Sequence, residues 1–271
     1  MKKPKIIVHC LVKNEENFIW YAINSVLLYV DKIMVWDNGS TDRTVDIVKT
    51  VHSPKIAFEK HATTSREGVG HLRQEMLDST PKNYDWLFLL DGDEIWSSRS
   101  LIKVINYVNE HPSAKAIVTK TFNLVGDIYH RLPEKFGQYS FLGKTGNFSL
   151  RFINLLATPG LHVSKPYGTE GYYDKDNLPV QDTQGIAFVN TEYFHATHLL
   201  RSSKSENVLD RHRKRKYYLG EKNDRSTMPE TFFSKRPALV PHVSNPMGIT
   251  AWLMSCLQTI LRLIASPLKR R

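Results

Sequence analysis

Cysteine is almost missing from this 271-residue chain, which has two, Cys10 and Cys256, far apart and in apolar surroundings. Two thiols make neither a disulfide framework nor a zinc site, which points to a reducing compartment. No apolar run reaches membrane-spanning length without a charge. Behind the basic start Met1-Lys2-Lys3-Pro4-Lys5 there is no apolar core of signal-peptide length followed by a cleavage site, so a cytoplasmic protein is expected. Internal repeats and low-complexity segments are lacking too. Acid is in deficit: 27 Asp and Glu against 37 Lys and Arg leave a net charge of +10. That balance favours anionic partners such as nucleotides, phosphates, anionic lipid or nucleic acid.

What is present is an alternation. Lys5 to Val12 is a β-branched strand closed by Lys13-Asn14-Glu15-Glu16. Asn17 to Tyr29 carries apolar residues at helical spacing. Ile33 to Trp36 is a second strand, followed at once by Asp37-Asn38-Gly39-Ser40-Thr41-Asp42, in which Ser40 or Thr41 can cap the next helix. Lys55 to Glu59 is a third strand, and Glu67 to Leu77 a helix. Trp86 to Leu90 is a short apolar run with the bulk of a fully buried strand. It ends abruptly in Asp91-Gly92-Asp93-Glu94. Strand–helix alternation implies a mostly parallel sheet with right-handed crossovers. Acids or amides close three of its strands at the same end, the edge where open α/β sheets bind ligands.

Two Asp separated by one Gly can approach a single hard cation, because Gly allows a tight turn. Mg²⁺ takes one or two protein carboxylates and keeps its other positions for phosphate oxygens and water. A metal holding a diphosphate is the chemistry this suggests. A solvated polar turn is the alternative reading of the same residues.

Beyond Trp96 the order loosens. Leu101 to Asn109 is an amphipathic helix, Ala116 to Phe122 a strand, Gly126 to Gly146 aromatic and loop-rich, and Phe148 to Leu156 a strand. Pro159 to Gln184 reads as a functional loop or lid. Ile186 to Val189 and Tyr193 to His195 follow. Ser205 to Leu219 is a basic helix, Pro229 to Pro246 is Pro-rich and irregular, and Ile249 to Ile264 is an apolar helix. The expected organisation is a catalytic unit over residues 1–200, with a nucleotide half (1–100) and an acceptor half (101–200), and an extension over 201–271.

Four motifs stand in order: Val12-Lys13-Asn14-Glu15-Glu16, Val35-Trp36-Asp37-Asn38-Gly39-Ser40-Thr41-Asp42-Arg43-Thr44, Arg73-Gln74 and Leu90-Asp91-Gly92-Asp93-Glu94. The set resembles the family 2 glycosyltransferases with the GT-A fold. The likeness is close over the first hundred residues, looser to about residue 200 and absent after about 225. It implies sugar transfer from a nucleotide-sugar donor, with inversion, assisted by Mg²⁺ or Mn²⁺. It also implies an α/β nucleotide-binding fold, with a mostly parallel central sheet flanked by helices and a C-terminal helical extension.

The resemblance assigns roles residue by residue. Asp37 would accept a hydrogen bond from the nucleobase, commonly uracil, although an acid there can also serve the Asn38-Gly39 turn. Leu11 and Glu15 would flank the nucleoside, Leu11 only through its backbone. Glu15 is equally a first-turn acid favoured by the helix dipole. Arg73 would hold the nucleotide, or be a solvated helix charge. Gln74 stands where the family usually has Asn. Asp91 would contact ribose or donor sugar and Asp93 the metal, neutralising charge that builds on the departing diphosphate. Glu94 adds negative potential without a ligand role.

An inverting transfer also needs a carboxylate to take the acceptor proton. No clean acid pair stands where the family places it. Glu170, between glycines, is chosen over Asp174, Asp176 and Asp182, with His162 a weaker alternative. A late His can complete the metal site: His195, after two aromatics, ranks above His198. Neutral imidazole suits Mn²⁺ better than Mg²⁺. The ligand set expected is therefore Asp91, Asp93 and His195, with Arg201 free to hold a phosphate oxygen.

The run Arg211 to Lys216 reads as a solvated helix or a lipid patch. Aromatics are too few beside it, and no module is present, for nucleic acid. The apolar tail from Trp252 to Ile264 suits a helix in a membrane interface, or docking on protein. The expected activity is transfer from a nucleotide-diphosphate donor, a UDP-sugar, to a cell-surface glycan such as lipopolysaccharide core or capsule, or to a lipid-linked acceptor, at the inner face of the plasma membrane. The alternatives are a sugar-phosphate nucleotidyltransferase, for which no Gly-rich phosphate loop follows strand one, and a non-enzymatic basic scaffold. Replacing Asp93 by Ala is expected to abolish turnover and leave the fold stable, on the view that this side chain lies at a surface cleft.

Overall fold

The structure is a computed structural model and describes residues 3–137, 139–141, 143–166, 168–204, 220–250 and 252–257. Its first half alternates as expected: β1 (Ile6–Val12), α1 (Ile19–Val26), β2 (Lys32–Asn38), α2 (Thr44–Lys49), β3 (Ile56–His61), α3 (Arg66–Asp78), β4 (Trp86–Leu89) and β5 (Glu94–Trp96). The second half holds α4 (Ser98–Glu110), β6 (Ala116–Val125), β7 (Asp127–Arg131), β8 (Tyr139–Phe141), β9 (Lys144–Gly146), β10 (Phe148–Asn154), β11 (His162–Ser164), β12 (Gly171–Tyr173), β13 (Ile186–His195) and β14 (Glu221–Lys222).

One large sheet runs β14-β7-β6-β10-β4-β1-β2-β3, with β13 on β6 and β5 on β13. β1 lies parallel to both β2 and β4, and β2 parallel to β3. Past β4 the sheet turns mixed, because β10 runs antiparallel to β4 and β6 while β13 runs parallel to β6. The sheet is therefore mostly parallel only in its first half.

β1 shows why the apolar runs read as they do. Ile6, Val8, Cys10 and Val12 point into one core and Ile7 and Leu11 into the other, so every residue of the strand is buried. The first core is closed by α1, α2 and α4. The second is closed by Val69, Leu72 and Met76 of α3. Burial on both faces is what a helix-flanked parallel strand requires.

Several expectations are corrected. Ser40 and Thr41 do not cap α2. Both are bonded to Asn14, and the Thr44 N–H donates instead to Asp42 Oδ1 at 2.9 Å. The aromatic stretch 126–146 holds three strands rather than loop, because β7 finds the end of β6 and β8 pairs with β9. The stretch 159–184 contains the β11–β12 hairpin, tied to α3 where the Val163 N–H donates to Gln74 Oε1 at 2.6 Å. That bond gives Gln74 a structural use. The two expected short strands 186–189 and 193–195 are one strand, β13.

The Pro-rich segment after residue 225 is irregular but integral. Met228, Phe232 and Val240 are buried in the first core, and the Tyr21 hydroxyl donates to Pro241 O at 2.7 Å. Burying a Phe side chain contributes about 2–3 kcal/mol. Residues 252–257 are helical, and Trp252, Leu253 and Leu257 are exposed there. The basic helix expected over 205–219 and the tail after 257 lie outside the described residues. Among the described residues no helix is long and apolar enough to cross a membrane.

Candidate active site

The loops at the carboxyl ends of β1 and β2 are stitched together. Asn14 adopts a left-handed backbone with φ 53°, which Asn tolerates better than most side chains. Its N–H donates to Ser40 Oγ at 2.8 Å, and its Oδ1 accepts from the N–H groups of Thr41 and Asp42 at 2.8 and 3.3 Å. The Glu15 N–H donates to Thr44 Oγ1 at 2.7 Å. Asp37 is fully buried at the end of β2, and its carboxylate accepts the Ser40 N–H at 3.1 Å, serving the Asn38-Gly39 turn. Leu11 sits beside Trp36 in the β1–β2 ladder.

The Asp91–Glu94 turn leans on this frame. A Cβ on Gly92 would come within 2.8 Å of Glu15 Cγ and 3.0 Å of Val12 Cγ1. Gly92 is thus needed for close approach rather than for a left-handed turn. From here the acids diverge. Asp91 Oδ1 lies 3.2 Å from Arg73 Nη2, and Asp91 Oδ2 lies 3.6 Å from Arg151 Nη2. Asp93 faces elsewhere: its Oδ2 is 2.6 Å from Arg201 Nη1 and 3.3 Å from His195 Nε2. Arg201 Nη1 also lies 3.2 Å from Glu15 Oε1. Antiparallel pairing of β13 with β5 sets His195 opposite Glu94 and so beside Asp93.

The expected ligand trio is therefore not assembled. Asp91 is drawn to two arginines, and among the described residues no three His, Cys, Asp or Glu side chains are disposed around one cation. Asp93 and His195 do fit a shared cation. Neighbouring donors of an octahedral ion bound at about 2.1 Å stand about 3 Å apart, close to the 3.3 Å observed. Nor does Asp93 lie at a surface cleft: it is fully buried. The surface-cleft premise for Asp93→Ala is corrected, and removing the side chain would withdraw a buried partner from Arg201.

Arg151 was not singled out by the sequence. Its guanidinium touches Glu94, and its Nε and Nη2 donate to the Tyr193 hydroxyl at 3.1 and 3.0 Å. Burial pushes the Glu94 carboxyl up to about 7, with nearby Asp91 adding to the rise and Arg151 opposing it. Burial would also raise Asp91, but Arg151 and Arg73 outweigh it and hold that carboxyl below its ordinary range. Burial works against charge on His195, yet the Asp93 carboxylate raises its pKa. Arg73 is no solvated helix charge, since its side chain is 13% exposed and paired.

A cavity of about 530 Å³ opens beside Asp91. Arg73, Arg151, Glu170, Phe141, Tyr172 and Asp182 are among its lining residues. Glu170 Oε1 is 3.8 Å from Arg73 Nε, and its other oxygen accepts the Gly168 N–H. His162 is engaged elsewhere, its ring nitrogens bonded to Gly160 O and Asn177 Oδ1 at 3.0 and 3.1 Å. His198 lines a separate cavity of about 310 Å³ with Asp127 and His242.

Two more acids from the motifs act at a distance. Glu16 Oε1 accepts the Ser203 N–H at 2.7 Å, and Asp42 Oδ2 accepts from Ser202 Oγ at 2.6 Å. They fasten the segment that carries Arg201. Both lay within the quoted motifs, so the signal was present. For Arg151 the signal was a lone charge in a mostly apolar strand.

The sequence signature of Glycosyl transferase family 2 matches residues 8–163, more than half of the chain. The chain belongs to glycosyltransferase family 2. Among curated relatives, an uncharacterized glycosyltransferase of Rickettsia typhi is 36% identical over 90 residues, 33% of this chain and 28% of that one. The SPbeta prophage-derived glycosyltransferase SunS of Bacillus subtilis is 28% identical over 102 residues, 37% of this chain and 23% of that one. The match to this family 2 chain thus spans less than a third of the length of either relative. Among solved structures, Mycobacterium tuberculosis glucosyl-3-phosphoglycerate synthase, crystallised with Mn²⁺, UDP and phosphoglyceric acid, aligns with a TM-score of 0.43 at 20% identity. That alignment covers 71% of each chain.

Proposed function

We propose that the protein transfers a sugar from a nucleoside-diphosphate donor, a UDP-sugar, to a hydroxyl of a glycan or lipid-linked acceptor, with inversion. The observation that carries this reading is the pairing of buried Asp93 with His195 at the carboxyl edge of a family 2 sheet, fitted to one divalent cation. Leu11, Glu15 and Asp37 would bound the nucleoside, and Arg73 and Asp91 would hold the ribose or the donor sugar. Asp93 and His195 would hold Mg²⁺ or Mn²⁺, which supplies charge neutralisation for the diphosphate.

The cavity beside Asp91 gives the acceptor room. Glu170 on its wall is the candidate base. Its carboxylate would take the acceptor proton while the oxygen attacks the anomeric carbon. The bond from that carbon to the diphosphate oxygen breaks, and the electron pair leaves with the nucleotide. The exposed Trp252, Leu253 and Leu257 support docking at a membrane interface, where a lipopolysaccharide-core, capsule or lipid-linked acceptor would be met. On this reading the protein would work in the cytoplasm, peripheral to the inner face of the plasma membrane.

Thermal stability against a nucleotide panel, with and without Mn²⁺, tests the proposal. A ligand at a hundredfold excess over its dissociation constant adds about 2.7 kcal/mol. A metal-dependent gain with UDP, lost in Asp93→Asn, is the expected result. A gain with triphosphates alone would favour nucleotidyl transfer, and no gain with any nucleotide would sink the reading.

A further inference from the structure

The cation nearest Asp93 belongs to the protein. Arg201 Nη1 lies 2.6 Å from Asp93 Oδ2, the same oxygen that His195 Nε2 approaches at 3.3 Å. The guanidinium thus stands on the side of the carboxylate that faces the second donor. A divalent ion bound to both would have to share that space. Arg201 cannot yield by losing a proton, since its guanidinium stays charged at any pH a protein meets. It can yield only by moving. Its surroundings suit a held but detachable group. The Asn17 N–H donates to Arg201 O at 3.0 Å, Asn17 Nδ2 to Leu200 O at 2.8 Å, Ser202 Oγ to Asp42 and the Ser203 N–H to Glu16. These anchors come from the loop after β1, which also carries Asn14 and Glu15, and from the loop after β2, which carries Asp42.

We propose that Arg201 is a built-in counter-cation of the metal site, which occupies Asp93 until a divalent ion displaces it. This rests on the reading that Asp93 and His195 hold that ion. Once displaced, the guanidinium would be available to a diphosphate brought by the metal, because a fork of N–H donors suits phosphate oxygens. Metal alone has to break the Asp93–Arg201 pair with nothing to offer Arg201 in return. Metal with diphosphate gives it a new partner. Binding of the two ligands is therefore coupled through one side chain. The same residue keeps a buried carboxylate compensated when no ligand is present, which an empty metal site would otherwise leave exposed to like-charge repulsion from Glu15 and Asp91.

Mn²⁺ titration of the whole chain, read by the loss of the free-ion electron paramagnetic resonance signal without nucleotide, tests this. Arg201→Gln is expected to bind Mn²⁺ at least about tenfold more tightly than the unaltered protein, because a fixed positive charge beside the ion has gone. Arg201→Lys, which keeps the charge, should stay within about threefold of the unaltered protein on the same grounds. Ser202→Ala unfastens the segment from Asp42 without changing charge. It should shift the affinity in the same direction by a smaller factor, and it carries the test if Arg201→Gln does not fold. Equal or weaker Mn²⁺ binding in Arg201→Gln, or in Ser202→Ala where that variant stands alone, overturns the inference. Asp93→Asn separates the two proposals: if it retains full Mn²⁺ affinity, the metal assignment itself fails. If it loses Mn²⁺ while Arg201→Gln gains nothing, only the role of Arg201 falls.

Discussion

The two halves of the sheet divide the charges of the site between them. Residues 6–89 form parallel strands joined by short crossovers, and their carboxyl ends and the turn after β4 supply the acids Glu15, Asp37, Asp91, Asp93 and Glu94. The later half is mixed in direction, and it supplies the guanidinium groups of Arg151 and Arg201 and the imidazole of His195 that face those acids. Arg73, on α3, is a positive group that the first half provides to the cluster. A parallel edge gathers carboxylates cheaply in sequence terms, because every crossover returns to the same end. It leaves them mutually repulsive, and the relief comes from residues 57 and 108 positions further on. The lesson is that the acids mark where the chemistry would occur, while the second half decides whether those acids can be charged.

That division can be broken from either side. The largest effect is expected for Asp93→Asn, which keeps volume and removes charge. Donor-sugar consumption should fall by about a thousandfold, the scale of losing a preorganised electrostatic contact, with the melting temperature lowered as well. Retained turnover would show that the acids do not need the second half. Next comes Arg151→Met, which strands Glu94 in the core. Breaking a buried pair costs about 3–5 kcal/mol, read by denaturant unfolding. The deficit should grow as pH rises through 7, the value to which Glu94 is already displaced. A carboxyl raised in the folded state opposes folding once it must ionise, and without Arg151 nothing offsets that.

Phe232→Ala tests whether the late Pro-rich segment shares the cooperative fold of the first core. A loss of about 3 kcal/mol is expected for a buried Phe, and a loss near zero would make that segment an appendage. The smallest effect is in acid. Glu16 is desolvated, yet hydrogen bonds from Ser203 and Arg43 bring its pKa down to about 2. The stability it adds is complete above about pH 4.3, the ordinary Glu value, and is lost as pH falls towards 2. Glu16→Gln should lower stability at neutral pH, where the charged form contributes in full, and flatten the stability curve between about pH 4.3 and 2.

How far the sequence could be read follows the same line. The inner strands of the first half were legible where they bury both faces and so appear as apolar runs, as in Trp86 to Leu89, while β3 at the sheet edge is only partly buried. The motif acids were legible because they sit within four residues of a strand end. β7 to β9 were not, since short strands among aromatics and glycines carry no period long enough to register. The joining of β13 was hidden by a register shift between Phe188 and Glu192 along β6. The expected metal trio is not gathered among the described residues for a different reason. Adjacent acids in a chain point apart when each finds its own cation, and the choices of Asp91 and Asp93 were made by Arg151 and Arg201, residues with no local signature. Glu170 was placed near the site by its glycines, and the structure sets it on the cavity wall beside Arg73.

The pairing of His195 with Glu94 across β13 and β5 has one more consequence. A strand slipped by a single residue would turn His195 to the opposite side of the sheet, because side chains alternate. The histidine thus meets Asp93 only in a sheet that has closed in its correct alignment, after about a hundred residues of intervening chain have found their places. Long-range pairings of this kind form late and slowly. A nascent chain that has emerged only as far as Trp96 already carries all four recognisable motifs and yet would hold only one, Asp93, of the two proposed metal ligands. Competence for the proposed metal is in effect a proofreading step on the finished topology, and a misaligned molecule would be unable to trap substrate.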